Sequence, residues 1–402
     1  MNLLRRFGVN DGGNVTIIAA ISIVPVLLAA GSAIDYIGAN RLETSLQSAV
    51  DAAALAAAAS PSDETSIKSA LAATFLHNTA EFEATIPDVT VAEDRVTVSA
   101  TAIFPTSFMK LAGLESIPVN VTATATAITK PVCLLALNKT APGAINLYGS
   151  TASITAQDCV VHSNSASATG LANTSGAMST ADVFCSTGGY AGTKFDPLPK
   201  TNCRAVKDPY AGLPVPDVSG CDFTNVGISA GTVNLYPGVY CGGLSISGGT
   251  ANFAPGLYVM KDGSFKGSSS TTNIYGSEVT FYFYGDKSNL EITGGAVTDL
   301  SAPKTGPYAG LVFVQYPGNG GGSLNKITGH SDTKIIGAGY FPTQKLSIGG
   351  SGNFGVKSPY MSFVADELQF HGNGKITLSF DAAAAGFTNP GPREYWGTRL
   401  VK

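Results

Sequence analysis

The chain has 402 residues, a formal net charge of −4, 13% charged residues and 47 glycines. Its length suggests about two to three domains, glycine without a G-X-Y period excludes collagen, and the lack of a Lys/Arg cluster after Arg5-Arg6 excludes a nucleic-acid footprint.

Val15 through Ile34 is an uncharged apolar run. Twenty or so helical residues match the roughly 30 Å hydrocarbon thickness of a bilayer. Pro25 lies mid-span, where membrane helices tolerate proline. Arg5 and Arg6 precede the run and Asp35 follows it, which places the N-terminus in the cytoplasm and the bulk outside. Gly31-Ser32-Ala33 offers a signal-peptide cut as the alternative. The run exceeds a usual signal core, however, and the helical pattern continues through that point. Gly8, Gly12 and Gly13 lack the acid that prepilin processing would need.

Beyond the span, Leu42, Leu46, Ala49, Val50, Ala53 and Ala57 recur at helical spacing as a packing stripe. Because the stripe is mostly alanine, a partner can approach closely. That partner is either the chain's own next module or another membrane subunit, and self-association into a homo-oligomer is open to it. Ser60-Pro61 ends this helix and supplies an N-cap and first-turn proline for the next, with Asp63 and Glu64 in its first turn. Ile67, Leu71, Phe75 and Asn78 give that second helix one face.

Gly13-Asn14-Val15, the apolar run, Ala33-Ile34-Asp35-Tyr36, Leu46-Gln47 and Asp51-Ala52-Ala53-Ala54-Leu55-Ala56 together resemble the N-terminal module of TadE/TadG-like proteins. Those belong to the tight-adherence (Tad) machinery that assembles Flp pili. The resemblance implies a single-pass protein of the bacterial inner membrane with a periplasmic bulk. Its partners would be the lipid bilayer and other Tad/Flp assembly proteins.

Residues 86–129 alternate. Val96, Val98, Ala100 and Ala102 oppose Thr97, Ser99 and Thr101, with a turn over Ala92 to Arg95. Ile117 to Ala127 alternates in the same way after a break at Pro105 and Phe108-Met109-Lys110-Leu111. With the second helix this predicts a small α+β module, which also resembles the segment after the anchor in the same family.

From Cys133 onward, short β-rich runs alternate with Gly, Ser, Asn and Pro. Val233-Asn-Leu-Tyr-Pro-Gly-Val-Tyr240 is echoed by Ala251-Asn-Phe-Ala-Pro-Gly-Leu-Tyr258. A strand cannot bury its apolar face alone, whereas stacked coils with glycine corners can. The expected fold is therefore a right-handed parallel β-helix, with a β-sandwich or jelly roll as the alternative. This region is also similar to the β-rich C-terminal part of some TadE/TadG-like proteins, through Pro237 to Leu244, Leu300 to Gly310 and Gly339-Tyr340-Phe341-Pro342. Other members carry a von Willebrand A domain, whose metal motif Asp299-Leu300-Ser301-Ala302-Pro303 does not complete.

All six cysteines, Cys133, Cys159, Cys185, Cys203, Cys221 and Cys241, lie in one segment without a CxxC. They read as disulfides of an oxidising compartment rather than zinc ligands. Many connectivities stay open, and sequence order suggests Cys133–Cys159, Cys185–Cys203 and Cys221–Cys241. The acids Asp262, Glu278, Asp286, Glu291, Asp299 and Asp332 are scattered, and Asp366-Glu367 points to opposite strand faces. His162, His330 and His371 read as turn residues. Neither a catalytic residue nor a cofactor or metal is expected, and the chain reads as a structural assembly component rather than an enzyme. A glycan-binding or glycan-active β-helix is the alternative. The expected layout is a cytoplasmic N-terminus (1–14), a transmembrane helix (15–34), an alanine-rich periplasmic helix (35–60), an α+β module (61–130), a β-helix domain (131–388) and a C-terminal tail (389–402).

Overall fold

The computed structural model of the chain describes residues 13–59, 64–79, 84–85, 87–92, 95–320, 322–329, 333–350, 353–387 and 391–401. Arg5-Arg6, Gly8, Gly12, the Ser60-Pro61 cap, Asp63, the Glu64 side chain, His330, Asp332 and Asn389-Pro390 lie outside the described residues. Two compact units form, Met1–Thr129 with Tyr395–Lys402, and Lys130–Glu394.

In the first unit, α1 (Gly13–Ala58) runs unbroken through Pro25. Its first half exposes Ile18, Ile21, Ile23, Val24, Val26 and Leu27, and the helix is long and apolar enough to cross a membrane. Its second half is a core element. Leu46, Ala49, Val50, Ala53, Ala54 and Ala57 are buried with Ile67, Leu71 and Phe75 of α2 (Glu64–Asn78). Asn78, expected on that face, is exposed and donates to the Thr74 carbonyl.

Strands β1 (Asp88–Ala92), β2 (Arg95–Pro105) and β3 (Ser116–Ala136) form an antiparallel meander. Val96, Val98, Ala100 and Ala102 of β2 and Val119, Val121, Ala123 and Ala125 of β3 turn into the same core. On the outer face the hydroxyls pair across strands, Thr97 with Thr124 at 2.9 Å and Ser99 with Thr122 at 3.1 Å. The alanine-rich helix and the α+β module therefore share one core and are not separate domains at residue 60. The expected C-terminal tail is also corrected. Arg393–Val401 is a strand, and Tyr395–Lys402 belongs to this first unit, because Tyr395, Trp396, Thr398, Leu400 and Val401 favour extended backbone once past Pro392.

The second unit is an all-β body whose long ladders are parallel. Phe223 pairs with Tyr240, Tyr240 with Met260, Met260 with Phe283 and Phe283 with Gln315. A neighbouring row continues from Val314 to Tyr340 and Val364. A second face pairs Thr250 with Asn273 and Asn273 with Val297. Each turn of chain thus contributes strands around a closed, barrel-like cross-section filled by side chains such as Tyr240, Ile246 and Ala251. A sandwich or jelly roll would need antiparallel ladders, so that alternative is set aside.

The repeat seen in the sequence is one packing unit used twice. Asn234 sits in register with Asn252. The Tyr240 and Tyr258 rings lie 5.9 Å apart, and each hydroxyl donates to a carbonyl four residues back, those of Tyr236 and Ala254, at 2.7 Å. The Pro-Gly corner preceding each tyrosine needs glycine. Gly256 has φ +139, and a Cβ there would meet the Pro237 ring below it. Farther along, Phe281 stacks on Phe265 at 4.5 Å and meets Phe253 edge-on at 4.9 Å.

The stacking order is not the sequence order. Val364 pairs with Leu135, Leu135 with His162 and His162 with Cys185. The first turns of the body therefore stack beyond the last ones. The chain reaches the far end through 204–222, which runs back along the stack. Val206 exchanges hydrogen bonds with Asn164, Asp208 accepts from Tyr340, Pro214 from Tyr308 and Val218 from Lys261, before Cys221 joins Cys241.

Candidate functional site

The clearest built site in the N-terminal unit is on α1, one turn around the end of the apolar run. Gly31, Asp35 and Gly38 share a helix face by their spacing. Asp35 is 3% exposed. Its Oδ1 accepts from the Ser107 amide at 3.0 Å, and its Oδ2 accepts from Phe108 at 2.8 Å and Met109 at 2.7 Å. These amides open the short 3-10 turn Met109–Ala112, whose first donors have no partner within the turn. The carboxylate supplies one, as a capping residue does from within its own helix. On either side, the glycines admit aromatic rings. A methyl at Gly31 would collide with Phe108, and one at Gly38 with Phe104. In the sequence Asp35 marks only the end of the span. The available signal was an acid flanked by glycines at i−4 and i+3.

The stripe residues Leu46, Ala49, Val50, Ala53 and Ala57 face the chain's own core, and Leu42 packs partly buried against it. In this chain the stripe packs against α2 and the sheet. Its side chains are buried in the core of this unit.

The six cysteines form Cys133–Cys159, Cys185–Cys203 and Cys221–Cys241, and none is free. The first links Cys133 in β3 to the next turn of the stack, and the last staples the returning segment to the far end of the body.

Among the described residues one cluster has ligand-like chemistry. His162, Cys185 and Glu394 each place one ligand atom within 4.8 Å of the others, all buried. Here His162 is a correction, since it sits in the strand Ser153–Ser163 and not in a turn. Its Nδ1 meets Glu394 Oε2 at 3.0 Å, and its Nε2 is buried without a hydrogen-bond partner among the described residues. Cys185 is tied to Cys203, so its sulfur is not a thiolate. Two ligands remain, short of the three or four that zinc takes, and the residues do not fit a metal.

Five of the acids singled out in the sequence have structural partners. Glu367 meets Lys345 at 2.8 Å, Asp299 meets Lys334 at 3.3 Å and Glu291 meets Lys266 at 3.5 Å. Asp286 accepts from the Gly320 amide at 2.6 Å. Asp366 accepts from Asn138, and burial raises its pKa, with Glu367 adding to that and Asn138 opposing it. His371 stacks on Tyr148 at 5.7 Å. The outer face of the body also carries an in-register row of Asn234, Asn252, Tyr275, Asp299 and Lys334.

Residues 13–60 match the family model described as "Putative Flp pilus-assembly TadE/G-like", so the N-terminal segment carries a TadE/G-like domain. Comparison with curated proteins and with solved structures finds no match.

Proposed function

We propose that the chain is a single-pass inner-membrane component of a Tad-type Flp pilus system that acts in assembly through protein–protein contacts and not by catalysis. Its N-terminus is cytoplasmic and its β body periplasmic, the body being a right-handed parallel β-helix. The observation that carries this reading is the division of labour within α1. One continuous helix has an exposed apolar half and a half built into a folded module, and both halves fall within the TadE/G-like segment. Arg5-Arg6 before the span supports the orientation, and three disulfides support an oxidising compartment. The parallel ladders support the β-helix.

With the alanine stripe packed in the core, the exposed apolar half of α1 and the outer faces of the body are among the surfaces offered to partners. A chromosomal deletion tests the function. Loss of surface pili and adherence, restored by the full chain but not by a chain lacking 15–34, is the expected result. Wild-type piliation in the deletion strain would overturn it. The second reading, a glycan-binding body, rests on the exposed Tyr275 within the row of amides at Asn234 and Asn252, whose side chains meet at 3.2 Å. Retention on immobilised cell-wall or capsular glycan, lost on Tyr275→Ala, would favour it.

A further inference from the structure

We infer that the hairpin tip Phe104–Leu114 is a second membrane contact, a wedge held at the lipid headgroup boundary by the Asp35 carboxylate. This rests on the reading that α1 spans the bilayer.

The tip is closed by hydrogen bonds and turns apolar side chains outward. The Thr106 amide donates to the Glu115 carbonyl at 3.0 Å, the Thr106 hydroxyl to the Leu114 carbonyl, and the Leu114 amide to Met109 at 3.0 Å. Gly113 closes the turn in the left-handed region, with φ +86. On this frame Leu111 is 77% exposed, and Ile103, Phe108 and Leu114 are exposed as well. Held apolar side chains of this kind mark an interaction surface.

The identity of the covering phase follows from where the tip is fixed. Its three amides bind Asp35, the first residue after the apolar run, and Phe108 lies on Gly31, within the run. At 1.5 Å per residue, Gly31 is about 5 Å inside the end of the run at Ile34 and Asp35 lies one residue beyond it, so the two contacts straddle the boundary between hydrocarbon and headgroup layer. A helix that crosses the membrane therefore carries the tip to that boundary. Ile34, Tyr36 and Ile37 of α1 are exposed at the same level, and tyrosine is favoured at this boundary. Between Phe104 and Leu114 the only charge is Lys110, which suits anionic headgroups. The occupant is thus a phospholipid surface, continuous with the lipid around the span.

The test uses the full chain in vesicles of phosphatidylethanolamine and phosphatidylglycerol, with one environment-sensitive fluorophore on an introduced thiol. The native cysteines are all paired and leave that thiol unique. Labels go on Leu111→Cys, on Leu27→Cys within the span and on Ser99→Cys as an exposed polar control. Lipids carry a nitroxide near the headgroup or near the chain end. The expected result is chain-end quenching at Leu27, headgroup-level quenching at Leu111 at least about twice that at Ser99, and loss of the Leu111 signal alone in Asp35→Ala. Quenching at Leu27 with Leu111 open to aqueous iodide would overturn the inference and leave the anchor standing. Leu111 shielded from both lipid and iodide would overturn it in favour of a second copy of the chain. An unquenched Leu27 would remove the anchor reading, and the inference with it.

Discussion

The permuted order of the β body can be tested with one engineered disulfide. Gln369 and Asn146 are register partners across the ladder between Met361–Gly372 and Ile145–Leu147, and both are half-buried on the outer face. Adjacent strands lie about 4.8 Å apart, inside the roughly 4.4–6.8 Å range of Cα spacings that a disulfide accepts. The double variant Gln369→Cys with Asn146→Cys should oxidise without moving the backbone. It closes a loop of roughly 220 residues, which the chain-entropy model values at about 5 kcal/mol as an upper figure. At about 2–4 °C per kcal/mol for a unit of this size, Tm should rise, by up to about 10–20 °C. The assay is thiol counting and non-reducing electrophoresis on the purified full chain in detergent, with thermal melts beside each single variant. A stack in sequence order would hold these residues at opposite ends of the body. Two free thiols in an oxidised monomer, or equal shifts in the single variants, would refute the permuted order.

Three further outcomes follow from the packing. Ala53→Leu should destabilise the first unit in the purified chain by about 1–3 kcal/mol, because Ala53 is fully buried in its core; unchanged denaturant unfolding of that unit would return the stripe to an intermolecular role. Phe281→Ala should cost about 3–5 kcal/mol, seen as a lower Tm of the body, since its ring stacks on both Phe265 and Phe313. Burial pushes the Tyr210, Tyr340 and Tyr360 phenols above their usual value, and the Asp208 carboxylate adds to this at Tyr340. A folded-state pKa above the unfolded one gives stability that is present below about pH 10 and lost above it. Tm should therefore fall above that pH, and less steeply in Tyr340→Phe; an unchanged alkaline slope in that variant would count against the buried phenol as its source.

Local structure was legible wherever one chain segment determines its own burial. The inward alternation of Val96 to Ala102 and of Val119 to Ala125 appears in the core as written, because period-two patterning alone decides which face a strand buries. The Asn234/Asn252 and Tyr240/Tyr258 repeats also stack as consecutive turns. Coil order was not legible. Apolar inward faces make any coil a tolerable neighbour for any other, so alternation carries no information about which coil lies next. The segment that holds Pro197, Pro199, Pro209, Pro214 and Pro216 is rich in proline. Its course along the stack depends on Tyr340, Tyr308 and Lys261, which lie far off in sequence. Asp35 was hidden for the same reason, since its donors are main-chain amides in another element and leave no side-chain signature. His162 looked isolated because its partner, Glu394, lies near the other end of the chain.

The central claim is that one helix both anchors the chain and holds the β body outside the cytoplasm. Protease accessibility in intact spheroplasts, with membranes washed in alkaline carbonate, measures this directly. Added protease should reach the body without lysis, leaving a short membrane-retained fragment that contains 15–34. A body protected until lysis, or a chain released by carbonate, would contradict it.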